Sequence, residues 1–111
     1  MVRTNAVEFV AAGSPRALAR AIEACADEQR FVSALVVPWE SSGDALTMAV
    51  TSARVDGWAI AHTNLGTVRL TDLGDDTTRV EVLPDDHPEE KLAHLIEAFA
   101  RQIQKRFEAR R

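Results

Sequence analysis

The chain has 111 residues, of which 46% are hydrophobic and 27% charged, as is typical of a folded globular domain. Its formal net charge of -4 argues against nucleic-acid binding, because affinity for phosphates comes mainly from Lys and Arg. No stretch approaches the roughly 18 consecutive apolar residues that span a bilayer. We therefore expect one soluble domain, residues 1–111, with neither a nucleic-acid partner nor a membrane span.

The first two predicted elements are a strand and a helix. Residues 5–11 place Val7 and Phe9 on one side, which predicts a short, half-buried strand. Ser14 followed by Pro15 is typical of a helix start, because the serine hydroxyl can accept from an early backbone N–H and proline is tolerated in the first turn. The apolar stripe of this helix contains Leu18, Ala21, Ile22 and Cys25, and its polar face contains Arg16, Arg20, Glu23 and Asp27.

The middle of the chain alternates with the period of strands. A β-branched run over residues 31–40 contains Pro38, which indicates a strand end, bulge or sheet edge. Further strands are predicted around residues 46–51, 58–63, 68–70 and 78–82. Turns are predicted at Ser41–Asp44, Asp56-Gly57, Asn64-Leu65-Gly66 and Gly74-Asp75-Asp76.

The last predicted element is a long amphipathic helix from Pro88 to Arg111. Acidic residues gather at its start and basic residues at its end, which complements the helix dipole. Its apolar stripe comprises Leu92, Leu95, Ile96, Phe99, Ile103 and Phe107. The whole pattern predicts an α+β fold of order β-α-β(4-5)-α, in which about five to six antiparallel strands pack against the C-terminal helix.

The stretch from Gly66 to Phe107 resembles the closing part of helix-grip domains, the START-like or SRPBCC superfamily. The resemblance lies in the turn Asp72-Leu73-Gly74-Asp75, the strand Thr78–Val82 and the long final helix. It implies a bent sheet around the helix, a hydrophobic cavity between them, and carrier or cyclase activity. The topology also resembles the TATA-box-binding-protein-like fold, whose members include ligand and protein binders.

The first functional hypothesis is a carrier or sensor for a small apolar ligand. Trp58, Ile60 and His62 alternate on one strand face, which we expect to point toward the helix, and His62 would orient the polar part of a ligand. Met48 and Leu70 on the sheet and Phe99 on the helix would complete the binding site.

The second hypothesis is a non-enzymatic homodimeric interaction module. A sheet face made of Ala53, Ala59, Ala61 and Thr63 is smaller and less charged than a solvated face usually is, so a second copy would cover it. A cyclase-like enzyme with His62 as acid or base rests on the family resemblance alone.

The remaining polar residues have structural interpretations. Glu90, His94 and Glu97 share one helix face at a spacing that suits a divalent cation, but that face is opposite the apolar stripe and is interpreted as solvated. No metal or cofactor is expected. Arg69, Arg79 and Glu81 are predicted to face solvent, in positions that favour cross-strand ion pairs. The lone Cys25 cannot form an internal disulfide, and no charged leader with an apolar core opens the chain, so a reducing cytoplasm is expected.

Overall fold

A computed structural model describes residues 6–29, 32–37, 45–86 and 90–109, without the side chains of residues 54–56 and 60–61. Its strands are β1 (Val7–Ala12), β2 (Ser33–Val36), β3 (Ala45–Asp56), β4 (Ala59–Gly74) and β5 (Thr77–Pro84), and its helices are α1 (Pro15–Asp27) and α2 (Glu90–Phe107). The strands form one antiparallel sheet of order β1-β5-β4-β3-β2. This confirms the predicted α+β class, with five strands.

Both helices pack on one face of the sheet. Alternate strand residues point toward them, so that Phe9, Val80 and Leu70 lie side by side in the register and are buried. On the helix side, Ile22 of α1 and Ile96 of α2 are completely buried in the same cluster. The opposite face of the sheet, here called the outer face, bears the intervening residues. None of the described helices is both long and apolar enough to cross a membrane.

The start of α1 forms as its sequence predicts. The Ser14 hydroxyl accepts a hydrogen bond from the Ala17 N–H at 3.2 Å, and Pro15 occupies the first turn. The preceding Gly13 is tied to the end of the sheet, since its N–H donates to the Asp76 carbonyl at 2.6 Å. Its carbonyl accepts from the buried Thr78 hydroxyl at 2.8 Å. These bonds fix α1 relative to β5.

Two of the predicted hairpin turns are confirmed. Gly57 opens the two-residue loop between β3 and β4 with a φ of 62°, a conformation that glycine adopts without strain. Asp75 and Asp76 connect β4 to β5 with φ angles of 53° and 58°, as a type I′ turn requires. The predictions at Pro38 and at Ser41–Asp44 lie outside the described residues.

The predicted turn at Asn64-Leu65-Gly66 is wrong, because β4 runs through these residues as one strand. Val50 pairs with Gly66 and the next residue, Thr51, pairs with Asn64, which leaves Leu65 as an extra residue in a β-bulge. Leu65 is completely buried. One strand with a bulge therefore replaces two predicted strands and a turn.

Gly66 is fixed by the close approach of its neighbouring strand. A Cβ atom at Gly66 would lie 2.7 Å from the Leu83 carbonyl oxygen and 3.0 Å from the Pro84 Cα. Both atoms are backbone atoms that cannot move without disturbing the pairing of β4 with β5. Glycine is therefore required beside the bulge.

We predict that Gly66→Ala lowers the free energy of unfolding by about 2 kcal/mol or more, because the methyl group displaces β5. Urea unfolding measures the change. Thr67→Ala, at the next and partly exposed position, is the control and should cost less than about 1 kcal/mol. Equal stability of Gly66→Ala and the wild type would contradict this account of the bulge.

Candidate functional site

Three of the predicted ligand-binding residues belong to the core. Met48, Leu70 and Phe99 are at most 1% exposed and lie in one continuous hydrophobic cluster. They come together between sheet and helix, as the carrier hypothesis expects. They are also packing residues of a small domain, whose stability depends on filling that space.

Trp58 and His62 are not part of that cluster. Trp58 lies in the turn between β3 and β4 and is fully exposed, and His62 is exposed as well. The expectation that they point toward the helix is wrong. For His62 the bulge explains the error, because an extra residue in a strand transfers every strand residue beyond it to the opposite face, whereas Trp58 is exposed because it lies in the turn itself. The side chain of Ile60 lies outside the described part of the structure.

The small residues that the dimer hypothesis places on one sheet face do not all share a face in the structure. Ala53 pairs with His62, whereas Thr63 pairs with the buried Ser52, so that Ala53 and Thr63 lie on opposite faces. Ala59 is four register pairs beyond Thr63, which places it on the same side of the strand as Thr63, and it is exposed. The side chain of Ala61 is outside the described residues. These four residues do not form one surface.

The ends of the helices are joined by polar contacts. The Arg106 guanidinium of α2 donates to the Glu28 carboxylate at 3.0 Å, and the Gln29 amide donates to the Gln102 side-chain oxygen. The bond to Glu28 raises the pKa of Arg106, and the nearby Cys25 thiol acts in the same direction. Arg106 therefore keeps its charge. Cys25 is buried, as predicted.

The acidic face of α2 is paired within the helix. His94 lies 3.8 Å from Glu90, and Glu97 accepts from Arg101 at 2.8 Å, with all four side chains substantially exposed. In the described ranges, no group of three or more His, Cys, Asp or Glu residues could hold a metal ion. This face has the ion pairs of a solvated helix surface.

An open groove of about 270 Å³ runs beside α1. Its walls are the α1 side chains Arg16, Arg20 and Glu23, and its floor includes Val36 of β2. It is small for a ligand site, because pockets for drug-sized molecules are usually about 300–1,000 Å³. It combines an apolar floor with charges of both signs at its rim.

The outer face of the sheet divides into two halves. On β1, β4 and β5 it carries charged residues, with Arg79 lying 3.7 Å from Glu8 and Arg69 directly opposite Glu81 in the register. The Arg79–Glu8 ion pair and the register of Arg69 with Glu81 agree with the sequence prediction of solvent-facing residues in positions that favour cross-strand ion pairs. On β2 and β3 its residues bear no charge, and we call this half the uncharged patch. The patch consists of Ser33, Leu35, Ala45, Thr47, Ala49 and Thr51. Leu35 is its exposed member, Thr47 is buried, and the other four are partly exposed.

Leu35 is the most unusual residue of the uncharged patch. It is 63% exposed on a strand at the end of the sheet, although it is a large apolar side chain. A signal for this exists in the sequence, since Ser33 and Leu35 alternate with Ala34 and Val36. The serine marks the solvent side, and Leu35 shares it. The β-branched run over residues 31–40 hides this alternation, so Leu35 is not among the predicted site residues.

Comparisons with known proteins add no family assignment: no protein-family model, curated protein or solved structure matches the chain.

Because Phe99 is buried and Trp58 is exposed, we predict that truncating Phe99 costs much more stability than truncating Trp58. Phe99→Ala should lower the free energy of unfolding by about 3–5 kcal/mol, because it leaves a cavity in the core. Trp58→Ala should change it by less than about 0.5 kcal/mol, because the exposed side chain has little packing to lose. Chemical denaturation measures both. A large loss of stability in Trp58→Ala would show that the indole is packed.

Proposed function

We propose that the protein is a non-enzymatic interaction module that works as a homodimer. The observation that carries the proposal is the uncharged patch at the β2 end of the sheet, with Leu35 exposed at its margin. Soluble proteins usually place charged residues on exposed edge strands and on exposed sheet faces. An apolar side chain on an uncharged surface favours a partner that covers it.

The other face and the other edge of the sheet do not offer such a surface. The inner face is occupied by α1 and α2. At the β1 edge, the Ala109 N–H donates to the Val10 carbonyl at 2.7 Å, and Glu108 forms a β-bridge with Ala11. The chain therefore covers part of this edge with its own C-terminal residues, as proteins commonly do to protect a sheet edge.

A dimer predicts a mass that depends on protein concentration. Sedimentation velocity between about 1 and 200 μM should show a monomer–dimer equilibrium for the wild type. Leu35→Lys should shift the protein to monomer without unfolding it, because it places a charge in the interface and its side chain is mostly exposed in the monomer.

Leu73→Lys is the matched control, since Leu73 is an exposed leucine at the distant end of β4 and should leave the equilibrium unchanged. A wild-type protein that stays monomeric over the whole range would overturn the proposed function.

Binding of a small ligand is the second candidate, and the groove beside α1 favours it. A small amphipathic anion would place its apolar part on Val36 and Leu46 and its charge near Arg16 or Arg20. The core site of Met48, Leu70 and Phe99, as in a START-like carrier, stays a prediction. Native mass spectrometry of fresh protein should show extra mass that is lost on denaturation, whereas a bare polypeptide mass would count against both versions.

A further inference from the structure

The two edges of the sheet differ in what lies beside them. The β1 edge is bridged by Glu108 and Ala109, as described above. The sheet ends at β2 on the other side, and no strand of the described ranges pairs with the outer edge of β2. The residues Ser33–Val36 include no charge and no proline, two features by which proteins commonly prevent edge-to-edge pairing, and the short length of this four-residue strand is the protective feature that it does have.

The backbone of β2 shows which groups its outer edge presents. The Val37 N–H donates to the Thr47 carbonyl at 2.8 Å, and Leu35 pairs with Ala49 one step along the antiparallel ladder. Because hydrogen-bonded residues alternate along a strand, the N–H and C=O groups of Ala34 and Val36 point away from β3. This edge has both donors and acceptors for another antiparallel strand.

On the polar side of α1, next to the groove above β2, basic residues come first along the helix and acidic residues follow. Arg16 and Arg20 come first along the helix and Glu23 follows, and all three line the groove above Val36. Asp27 ends the helix on the same polar face. If a second α1 lay alongside in the antiparallel direction, its acidic end would meet this basic end, and the reverse would hold at the other end of the pair.

We propose that β2 pairs with β2 of a second copy about a two-fold axis through Leu35, so that two five-stranded sheets join into one. Leu35 then faces Leu35 of the second copy on the outer face, and Ala34 exchanges backbone hydrogen bonds with Val36 of the second copy. On the inner face, Arg16 and Arg20 lie beside Glu23 and Asp27 of the second copy. The proposal rests on the homodimer proposed above and specifies its interface.

The spacing of the elements suits this arrangement. Strands in a sheet are about 4.8 Å apart, and α1 packs on β2 and also on β3 and β4, so the two α1 helices would be on the order of 15 Å apart. Arg and Glu side chains can meet across that distance. A second copy also fits better than an unrelated acidic or basic segment, because the edge strand itself has no charge and the rim has both signs.

Disulfide cross-linking tests the pairing of β2 directly. Facing residues of a non-hydrogen-bonded antiparallel pair have Cα atoms about 4.5 Å apart, which a disulfide can span. Leu35→Cys should therefore form a covalent dimer under mild oxidation, at least tenfold faster than Leu83→Cys. Leu83 is the control because it is also exposed, lies in the same row of the outer face, and is three strands away from β2. Wild type, with only buried Cys25, should not cross-link.

A charge swap tests the contact between the α1 helices. Arg20→Glu and Glu23→Arg should each raise the dimer dissociation constant by about fivefold, because each puts like charges together at both ends of the pair. The double variant Arg20→Glu/Glu23→Arg restores opposite charges in a homodimer and should return the constant to within about twofold of the wild type. The double variant has the same net charge as the wild type, and residues 20 and 23 still carry opposite charges within one helix. Its monomer should therefore unfold at the same temperature as the wild-type monomer, which is the control for an effect on folding.

The outcomes separate this proposal from the proposed function. Two results would overturn the β2 pairing while leaving the homodimer intact. One is a protein that dimerises in sedimentation but cross-links equally fast through Leu83→Cys and Leu35→Cys. The other is a double variant Arg20→Glu/Glu23→Arg that dimerises no better than the single variants. A protein that is monomeric by sedimentation would overturn both. Rapid cross-linking at Leu35 together with rescue by the double variant would support both.

Discussion

The β-bulge at Leu65 is the constraint on which the shape of this protein depends. The extra residue lets Leu65 enter the core while Gly66 lies against the backbone of β5. The bulge also allows β4 to continue beyond its pairing with β5, which begins at Gly66, and to form with β3 a two-stranded arm over residues 52–63. The Asp85 N–H donates to the Leu65 carbonyl at 3.0 Å, so the chain leaving β5 is tied to the same point. The bulge thus joins a packed body to an arm that bears an exposed tryptophan.

Most of the fold could be predicted from the sequence because its signals are local and agree with one another. The Ser14-Pro15 helix start, the Asp75-Asp76 turn and the period of α2 each depend on residues a few positions apart. The bulge could not be predicted in this way. Asn64-Leu65-Gly66 is as typical of a turn as of a bulge, and only the packing of Leu65 decides between them. The difference between a turn and a bulge here decides on which side of the sheet His62 lies.

The functional interpretation changes with the geometry of the sheet. Residues that alternation assigns to a pocket are divided between a filled core and an exposed arm, while the uncharged surface lies on β2 and β3. Four residues of β2 and one flank of α1 make a small interface. The affinity of such a dimer depends on charge complementarity as well as on buried area, and the fraction of dimer depends on protein concentration. The groove beside α1 and the proposed dimer interface share Arg16, Arg20, Glu23 and Val36, so a ligand in the groove and a second copy would compete for one surface. The core site of Met48, Leu70 and Phe99 lies apart from that surface.

The position of β1 has a consequence for biosynthesis. Of the strands in the described sheet, β1 leaves the ribosome first, yet its register partner is β5, in which Val82 pairs with Val7. At a translation rate of about 5–20 residues per second, the first strand waits several seconds for that partner. The hairpins of β3, β4 and β5 form from neighbouring residues in the meantime, and the bridge from Glu108 to Ala11 closes the sheet only after α2 has been made. A nascent chain that is stalled before α2 would therefore expose the edge that the finished protein covers.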